Sequence, residues 1–145
     1  MIDWCRDNYR TATMPKLEAD DVMGIKSNST TIIVSDDKDM KTIPTRLYRP
    51  ISGESLDISQ QEADKNFLTQ ALTGDSTDGY KGLSGVGIKK AEVILGARPH
   101  WGAVEAAYIK AGYTKEEALT QARLARILRS GDWDYDKKEV KLWTP

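Results

Sequence analysis

Apolar and polar positions along the first 58 residues predict a helix followed by short strands. Behind Pro15, apolar side chains recur at helical spacing and acids fill the first turn, which predicts a helix over residues 15–26. The apolar, β-branched run at residues 30–35 is typical of a strand buried on both faces, as in a parallel sheet covered by helices. A second strand is predicted at residues 45–49 and a loop at residues 51–58.

The second part of the chain is predicted to be helical. Ser59 and Glu62 have the spacing of a capping box, so a helix is predicted from this point to about Thr73. Further helices are predicted at residues 88–95, 101–111 and 115–130, and an extended tail follows from Asp132 to Pro145. Since two strands do not form a stable parallel sheet, we expect further strands upstream of Met1 or on another chain.

Composition limits the class of protein. The 145 residues are 39% hydrophobic and 30% charged, which is enough for one modest core and unlike a disordered chain. No apolar run approaches the ~20 residues that a membrane span needs, and no secretory signal is visible, so we expect a cytoplasmic protein. The single cysteine, Cys5, and the single histidine, His100, exclude a Cys-based zinc site and any multi-histidine metal site.

Charge is distributed unevenly along the chain. Residues 1–80 carry 9 basic and 14 acidic side chains, whereas residues 81–145 carry 12 basic and 8 acidic side chains. An acidic part suits cation binding and a basic part suits a polyanion. Chance clustering of solvated surface charge is the alternative interpretation.

Three groups of acids are the strongest candidates for chemistry. They are Glu18, Asp20 and Asp21 in the first predicted helix, Asp36, Asp37 and Asp39 after the apolar strand, and Asp75 and Asp78 after the helix that ends near Thr73. Open α/β sheets bind ligands at the carboxyl ends of their strands, so we expect these groups to converge there. Carboxylates without histidine or thiol ligands favour Mg²⁺ or Mn²⁺, and two such ions catalyse phosphodiester hydrolysis. The alternative is that the acids are helix caps and surface groups.

A glycine-rich segment precedes the predicted helix at residues 88–95. Gly85 and Gly87 allow a tight turn, and the free N–H groups of the helix that follows attract phosphate. Lys89 and Lys90 add positive charge for a sequence-independent backbone contact. The spacing is typical of a helix–hairpin–helix that binds duplex DNA, and an ordinary turn is the alternative. The expected DNA-binding residues are Gly82, Ser84, Gly85, Val86, Gly87, Ile88, Lys89 and Lys90.

Three segments resemble successive motifs of the flap endonuclease family. This family includes the 5′ nuclease domain of bacterial DNA polymerase I and the bacteriophage 5′→3′ exonucleases. The segments are residues 17–22, 35–40 and 73–91, and the tail at residues 121–145 is most similar to the phage exonucleases.

The resemblance covers about residues 13–145 and implies an α/β fold in two parts. Residues 1–58 would form the C-terminal portion of an α/β nuclease core with a partial parallel, PIN-like sheet. Residues 59–145 would form a helical DNA-binding region with a helix–three-turn–helix, a form of helix–hairpin–helix.

The resemblance also implies an activity. It implies a metal-dependent 5′→3′ exonuclease or flap endonuclease that hydrolyses DNA phosphodiesters near 5′ ends, with two divalent ions, Mg²⁺ or Mn²⁺. The implied ligands are Glu18, Asp20, Asp21, Asp37, Asp39, Asp75 and Asp78, of which Asp21, Asp37 and Asp39 are the catalytic candidates. It further implies K⁺ on the hairpin carbonyls, and as partners duplex DNA ends and flaps, with no membrane.

One departure from the family is large. The family begins with a strand that carries a first aspartate ligand, followed by an arch for the 5′ strand, and nothing before Thr13 matches either. We therefore expect the chain to be the C-terminal part of such a nuclease: a fragment, the product of a remnant gene, or one half of a split protein whose N-terminal part is a separate chain. The alternative is a non-catalytic duplex DNA-binding module. Either protein would act in the cytoplasm of a bacterium or a phage-infected cell.

Overall fold

Six α-helices and five short strands make up the computed structural model, which describes residues 2–145. The helices are α1 (Ile2–Asn8), α2 (Ala19–Lys26), α3 (Gln60–Thr73), α4 (Ile88–Leu95), α5 (Trp101–Lys110) and α6 (Lys115–Ala125). The strands are β1 (Ile32–Val34), β2 (Arg46–Arg49), β3 (Glu54–Asp57), β4 (Trp133–Asp134) and β5 (Glu139–Val140). Short 3-10 helices span Lys38–Thr42 and Ser130–Asp132.

Strands β1, β2 and β3 form a sheet in that order. Strand β1 runs parallel to β2, with Ile33 opposite Leu47, and β3 runs antiparallel to β2. The predicted loop at residues 51–58 is wrong because it contains β3. Gly53, in the left-handed region with φ 70°, reverses the chain there. Only one residue of β3, Leu56, is a large apolar residue, so the strand lacks the sequence signal that marked β1.

Only one face of β1 is covered within residues 2–145. Ile33 points into the core with Met40 and Ile43, and it is 6% exposed. Ile32 and Val34 point to the other face and are 55% and 61% exposed. The prediction that this strand is buried on both faces is therefore wrong for the described part of the chain.

Two predicted helices are shorter than their sequence patterns. Helix α2 begins at Ala19 and not at residue 15, because Lys16 adopts a positive φ of 64° that a right-handed helix cannot contain. Helix α6 ends at Ala125 and not near residue 130. The chain after α6 is pulled into an extended path, in which the Arg129 guanidinium donates to the Thr42 carbonyl at 2.6 and 3.1 Å.

Helices α3 to α6 pack around one apolar cluster and follow the predictions closely. Both capping boxes are present, one at the start of α3 and one at the start of α6. The buried Tyr108 hydroxyl donates to the Ala71 carbonyl at 2.7 Å and ties α5 to α3. The tail packs back onto these helices, since the Trp143 ring contacts the Phe67 and Trp101 rings edge-on at 5.0 and 5.3 Å.

The loop between α3 and α4 is closed at its base by two glycines. Gly74 and Gly82 have φ of 69° and 60°, and each would place a Cβ against the backbone of the opposite arm. The Gly82 N–H donates to Gln121 Oε1 at 2.8 Å, and the Leu83 N–H donates to the Leu72 carbonyl at 2.8 Å. These contacts fix the seven-residue segment between the glycines, residues 75–81, on the end of α3.

The predicted boundary between residues 58 and 59 falls in the connection from β3 to α3. Ala63 of α3 belongs to the apolar cluster under the sheet, so the two parts share a contact across that boundary. The division into two domains stays a prediction. Among the helices of residues 2–145, none combines the length and apolar character needed to cross a membrane.

We expect Gly82→Ala to lower the free energy of unfolding by roughly 3 kcal/mol or more. Left-handed strain of about 1–2 kcal/mol would be joined by overlap of the new Cβ with the backbone of Thr73 and Gly74. Gly53→Ala is the matched control, because Gly53 has a similar φ and nothing within 4 Å of its Cβ position. Urea unfolding measures the free energy of unfolding of both variants. Equal losses would mean that the loop accommodates the new Cβ at position 82 without any energetic cost from steric overlap.

Candidate active site

Acids from three separate elements line one open cavity of about 470 Å³. Helix α2 and its N-cap supply the first group, the segment after β1 supplies the second, and the loop after α3 supplies the third. The acids that line the cavity are Glu18, Asp20, Asp21, Asp37, Asp39 and Asp78. Asp75 joins them, because one carboxylate oxygen each from Asp39, Asp75 and Asp78 lie within 4.8 Å of one another. The structure thus brings together the seven acids that the resemblance implied as ligands, whereas Asp36, the eighth acid of the three groups, does not line the cavity.

The acids of α2 reach the cavity because α2 packs closely against the chain after α6. A Cβ on Gly24 would overlap the Leu128 carbonyl, so only glycine permits this approach. In return the Leu128 N–H donates to Asp21 Oδ1 at 3.0 Å and fixes that carboxylate. Asp21 is thereby oriented by a residue more than one hundred positions away in the sequence.

Asp37 and Asp39 are oriented by the 3-10 helix that follows β1. Asp37 is its N-cap, and the Asp37 carboxylate accepts the Asp39 N–H at 2.9 Å. The Asp39 carboxylate in turn accepts a short hydrogen bond from the Gln70 side chain of α3. Asp36 faces away from the cavity, and its carboxylate accepts the Ile51 N–H at 3.1 Å. Within this group, Asp36 is therefore a structural acid.

Asp75 and Asp78 are carried by the closed loop after α3. Asp75 and Tyr80 exchange backbone hydrogen bonds at 2.9 and 3.1 Å, so the residues between them form a tight turn. Asp75 accepts the Thr77 N–H at 2.8 Å and the Lys38 ammonium at 2.6 Å. The Tyr80 side chain is buried and forms part of the cavity wall.

Burial and mutual repulsion set the electrostatics of the cavity. Burial raises the pKa of Asp20, and the neighbouring carboxylates of Asp37 and Glu18 raise it further. Burial, followed by the charge of Asp37, also raises the pKa of Asp39. The hydrogen bond from Lys38 has the opposite effect and lowers the pKa of Asp75 to about 2. The cavity therefore concentrates negative charge, and Lys38 pairs with part of it at Asp75.

Three residues of the site were not found from the sequence. Gln70 contacts Asp39, Lys38 contacts Asp75, and Arg126 lines the cavity while it pairs with Asp132 at 2.8 Å. Lys38 lies between two candidate ligands, which was a usable signal. Gln70 lies in α3 and Arg126 directly follows α6, and only the packing of these segments brings the two side chains to the cavity.

The hairpin candidates lie together on a second surface. Gly82 and Leu83 are buried at its base, and Gly87 is the N-cap of α4. The exposed residues of the set are Ser84, Gly85, Gly87, Ile88, Lys89 and Lys90, with Val86 half-buried. The Lys90 ammonium donates to the Gly85 carbonyl at 2.8 Å, so part of its charge serves the hairpin itself. Lys89 has no such contact within the described residues.

Two curated phage proteins match almost the whole chain. The exodeoxyribonuclease of Enterobacteria phage T3 is 30% identical over 97% of this chain, and the exonuclease of Escherichia phage T7 is also 30% identical over 97%. The chain is therefore similar in sequence to these two phage exonucleases over almost its whole length. It spans about 60% of the length of these curated relatives, 59% for T3 and 60% for T7. No protein-family profile matches the chain.

A solved flap endonuclease has the same fold. The structure of the bacteriophage T5 flap endonuclease, a pseudo-enzyme–product complex with DNA and metal ions, superposes with a TM-score of 0.69. The match covers 86% of this chain and 55% of the T5 protein at 17% identity. The expected fold, a small sheet with a parallel strand pair followed by helices, is thereby confirmed, as is the resemblance to the phage exonuclease and flap endonuclease family.

We expect Asp39→Asn to raise the melting temperature at pH 7 without divalent ions by about 2–4 °C. The folded-state pKa of Asp39 lies above its ordinary value of 3.8, so the destabilisation by this carboxylate sets in above pH 3.8 and is complete once the pH exceeds that raised pKa. The gain in melting temperature should therefore vanish below pH 3.8, where the Asp39 carboxyl group is protonated and, like the amide of the variant, uncharged. Calorimetry at the two pH values measures it.

Asp36→Asn is the matched control for this prediction. It removes the same charge three residues away, from an acid that does not line the cavity. A melting temperature that rises equally in both variants would assign the effect to net charge and not to crowding of the cavity.

Proposed function

We propose that the chain is the metal-binding and DNA-binding part of a 5′→3′ exonuclease or flap endonuclease that hydrolyses DNA phosphodiesters near 5′ ends. The observation that carries the proposal is the convergence of acids from three separate elements on one cavity. Its relation to the T3 and T7 exonucleases supports the reaction class.

The donor set suits two divalent cations, Mg²⁺ or Mn²⁺. Every candidate ligand is a carboxylate, and hard oxygen donors without histidine or thiolate are what these ions prefer. Charges of the same sign repel by about 4 kcal/mol at 4 Å and an effective dielectric of 20, so cations stabilise such a cluster. The proposed ligands are Glu18, Asp20, Asp21, Asp37, Asp39, Asp75 and Asp78.

Divalent cations, when bound, would supply Lewis-acid stabilisation of the phosphodiester and lower the pKa of an attacking water. The chain itself keeps the carboxylates in place. Asp21, Asp37 and Asp39 are the proposed catalytic acids, and their orientation depends on fixed donors. The Leu128 N–H holds Asp21, and the Gln70 amide holds Asp39. Such preorganisation limits the rearrangement that the reaction would require.

The hairpin is proposed to bind the backbone of duplex DNA. Its exposed glycines allow close approach, and the first N–H groups of α4 are available to a phosphate because the N-cap, Gly87, supplies no side-chain acceptor. Contacts of this kind read phosphate and not base sequence, so binding would be independent of sequence. K⁺ on the hairpin carbonyls is part of the same proposal, although the Lys90 ammonium already binds one of them, that of Gly85.

A separate chain is proposed to complete the nuclease core. Ile32 and Val34 expose an apolar face beside Tyr48 of β2, and the outer edge of β1 pairs with no other strand in the described residues. A polypeptide that adds a strand and covers this face would pair the outer edge of β1 and bury the exposed apolar side chains. The complex would act in the cytoplasm of a bacterial or phage-infected cell, in keeping with its phage relatives.

A non-catalytic DNA-binding module is the second candidate function. The specific observation in its favour is that the hairpin and α4 form a binding surface that does not need the acidic cavity. Retention of all seven acids in one place favours the nuclease.

We expect Mg²⁺ or Mn²⁺ to raise the melting temperature by about 5–10 °C at a concentration 100 times the dissociation constant. Asp75→Asn with Asp78→Asn should remove much of that gain, because two of three clustered oxygens lose their charge. The matched control is Asp57→Asn with Asp136→Asn, two exposed acids outside the cavity. Scanning calorimetry with and without EDTA makes the measurement.

Cleavage of a 5′-labelled duplex or flap in the same samples separates the two functions. Cleavage that stops with EDTA and returns with Mg²⁺ supports the nuclease. Metal binding without cleavage by this chain alone supports the binding module, unless the product of the reading frame directly upstream restores cleavage. A melting temperature that neither Mg²⁺ nor Mn²⁺ changes would contradict the proposed metal site.

We expect Lys89→Ala with Lys90→Ala to weaken duplex binding equally for unrelated sequences. The slope of log affinity against log salt should fall by up to ~2, or by about 1 if Lys90 serves only the hairpin. Lys137→Ala with Lys138→Ala, in the β4–β5 turn, is the control for net charge. Fluorescence anisotropy over a salt series measures the slope, and an unchanged value would mean that DNA binds elsewhere.

A further inference from the structure

Lys38 is the basic residue placed directly against the acid cluster. Its Nζ lies 2.6 Å from Asp75 Oδ2, and its backbone belongs to the 3-10 helix between Asp37 and Asp39. Asp75 contributes to the cluster of three carboxylates whose oxygens lie within 4.8 Å. An ammonium group is therefore bound to a carboxylate that is also a candidate metal ligand.

Both oxygens of Asp75 already have partners. Oδ2 accepts from Lys38, and Oδ1 accepts the Thr77 N–H at 2.8 Å. The Thr77 donor is fixed by the turn that Asp75 and Tyr80 close, whereas the Lys38 side chain is 69% exposed. A cation that approaches Asp75 therefore meets one donor held by the turn and one exposed side-chain donor, and the exposed donor is the one that can be displaced into solvent.

We propose that the Lys38 ammonium is a built-in counter-ion of the Asp39–Asp75–Asp78 cluster, which a divalent ion must displace in order to bind there. This inference rests on the proposed function, because it presupposes that the cluster binds a divalent ion. Lys38 then has two effects. It stabilises the cluster in the absence of metal, and it weakens the affinity for the ion by competition and by repulsion between like charges.

The competition predicts the behaviour of Lys38 variants. Ion pairs with one exposed partner contribute up to about 1 kcal/mol, which corresponds to about fivefold in affinity. Lys38→Met should therefore tighten one Mn²⁺ site about fivefold and lower the melting temperature of the metal-free protein. Lys38→Arg retains the charge and should bind Mn²⁺ as the wild type does.

Lys41→Met is the matched control, because Lys41 lies in the same 3-10 helix but lines a different groove, with Glu62 and Lys65. Isothermal titration with Mn²⁺ at low ionic strength and without DNA gives site number and affinity for all four proteins. Circular dichroism checks that each variant is folded.

The outcomes of this titration are distinct. Tighter Mn²⁺ binding by Lys38→Met, but not by Lys38→Arg or Lys41→Met, supports the displacement of the Lys38 ammonium by the ion. Equal Mn²⁺ affinities in Lys38→Met and Lys41→Met would overturn this inference and leave the metal site intact. Absence of Mn²⁺ binding in the wild type would overturn the proposed function, and the inference with it.

Discussion

Repulsion among seven carboxylates is the constraint on which the rest of this structure depends. Charged groups of one sign approach one another only where the fold holds them or a cation balances them. Burial raises the pKa of Asp20 and of Asp39, and the charge of neighbouring carboxylates raises both pKa values further. Around the cavity, the protein supplies donors that fix individual acids, and within residues 2–145 Lys38 is the one cation paired with the three-carboxylate cluster. The arrangement is therefore costly for the protein alone and suited to a cation ligand.

The scaffold that holds the acids is formed by the chain after α6. Arg129 is buried and binds the Thr42 carbonyl, and it also pairs with Asp64 of α3 at 2.6 Å. In this way one side chain links the 3-10 helix after β1 to the first turns of α3. The neighbouring Leu128 contacts α2 through Asp21 and through the space at Gly24. Two of the three acid-bearing regions, α2 and the 3-10 helix after β1, are thus held by this one segment.

The loop after α3 connects the cavity with the hairpin. Its closed base places Asp75 and Asp78 on one side and leads directly through Gly82 into the hairpin and α4. Gln121 of α6 binds the Gly82 N–H and so fixes the point from which the hairpin departs. A duplex bound at the hairpin would thus be held by the same rigid segment that carries two of the proposed metal ligands. This physical continuity is the basis for considering both surfaces as parts of one nuclease.

The sequence by itself determined the helices with local signals and the membership of the acid set. Capping boxes and glycine stops are interactions within a few residues, so α3, α4 and α5 lie where their patterns predicted, and α6 begins where its capping box predicted. The acids were identified by residue type and motif order, and the fold then brought all seven together. The ends of α2 and α6, strand β3 and the exposed face of β1 were decided by tertiary structure. Each depends on a partner distant in sequence or on a strand that pairs only after the chain has folded, and local pattern carries no information about such contacts. For the same reason, only the packed structure shows that Gln70 and Arg126 lie at the cavity and that Asp36 lies outside it.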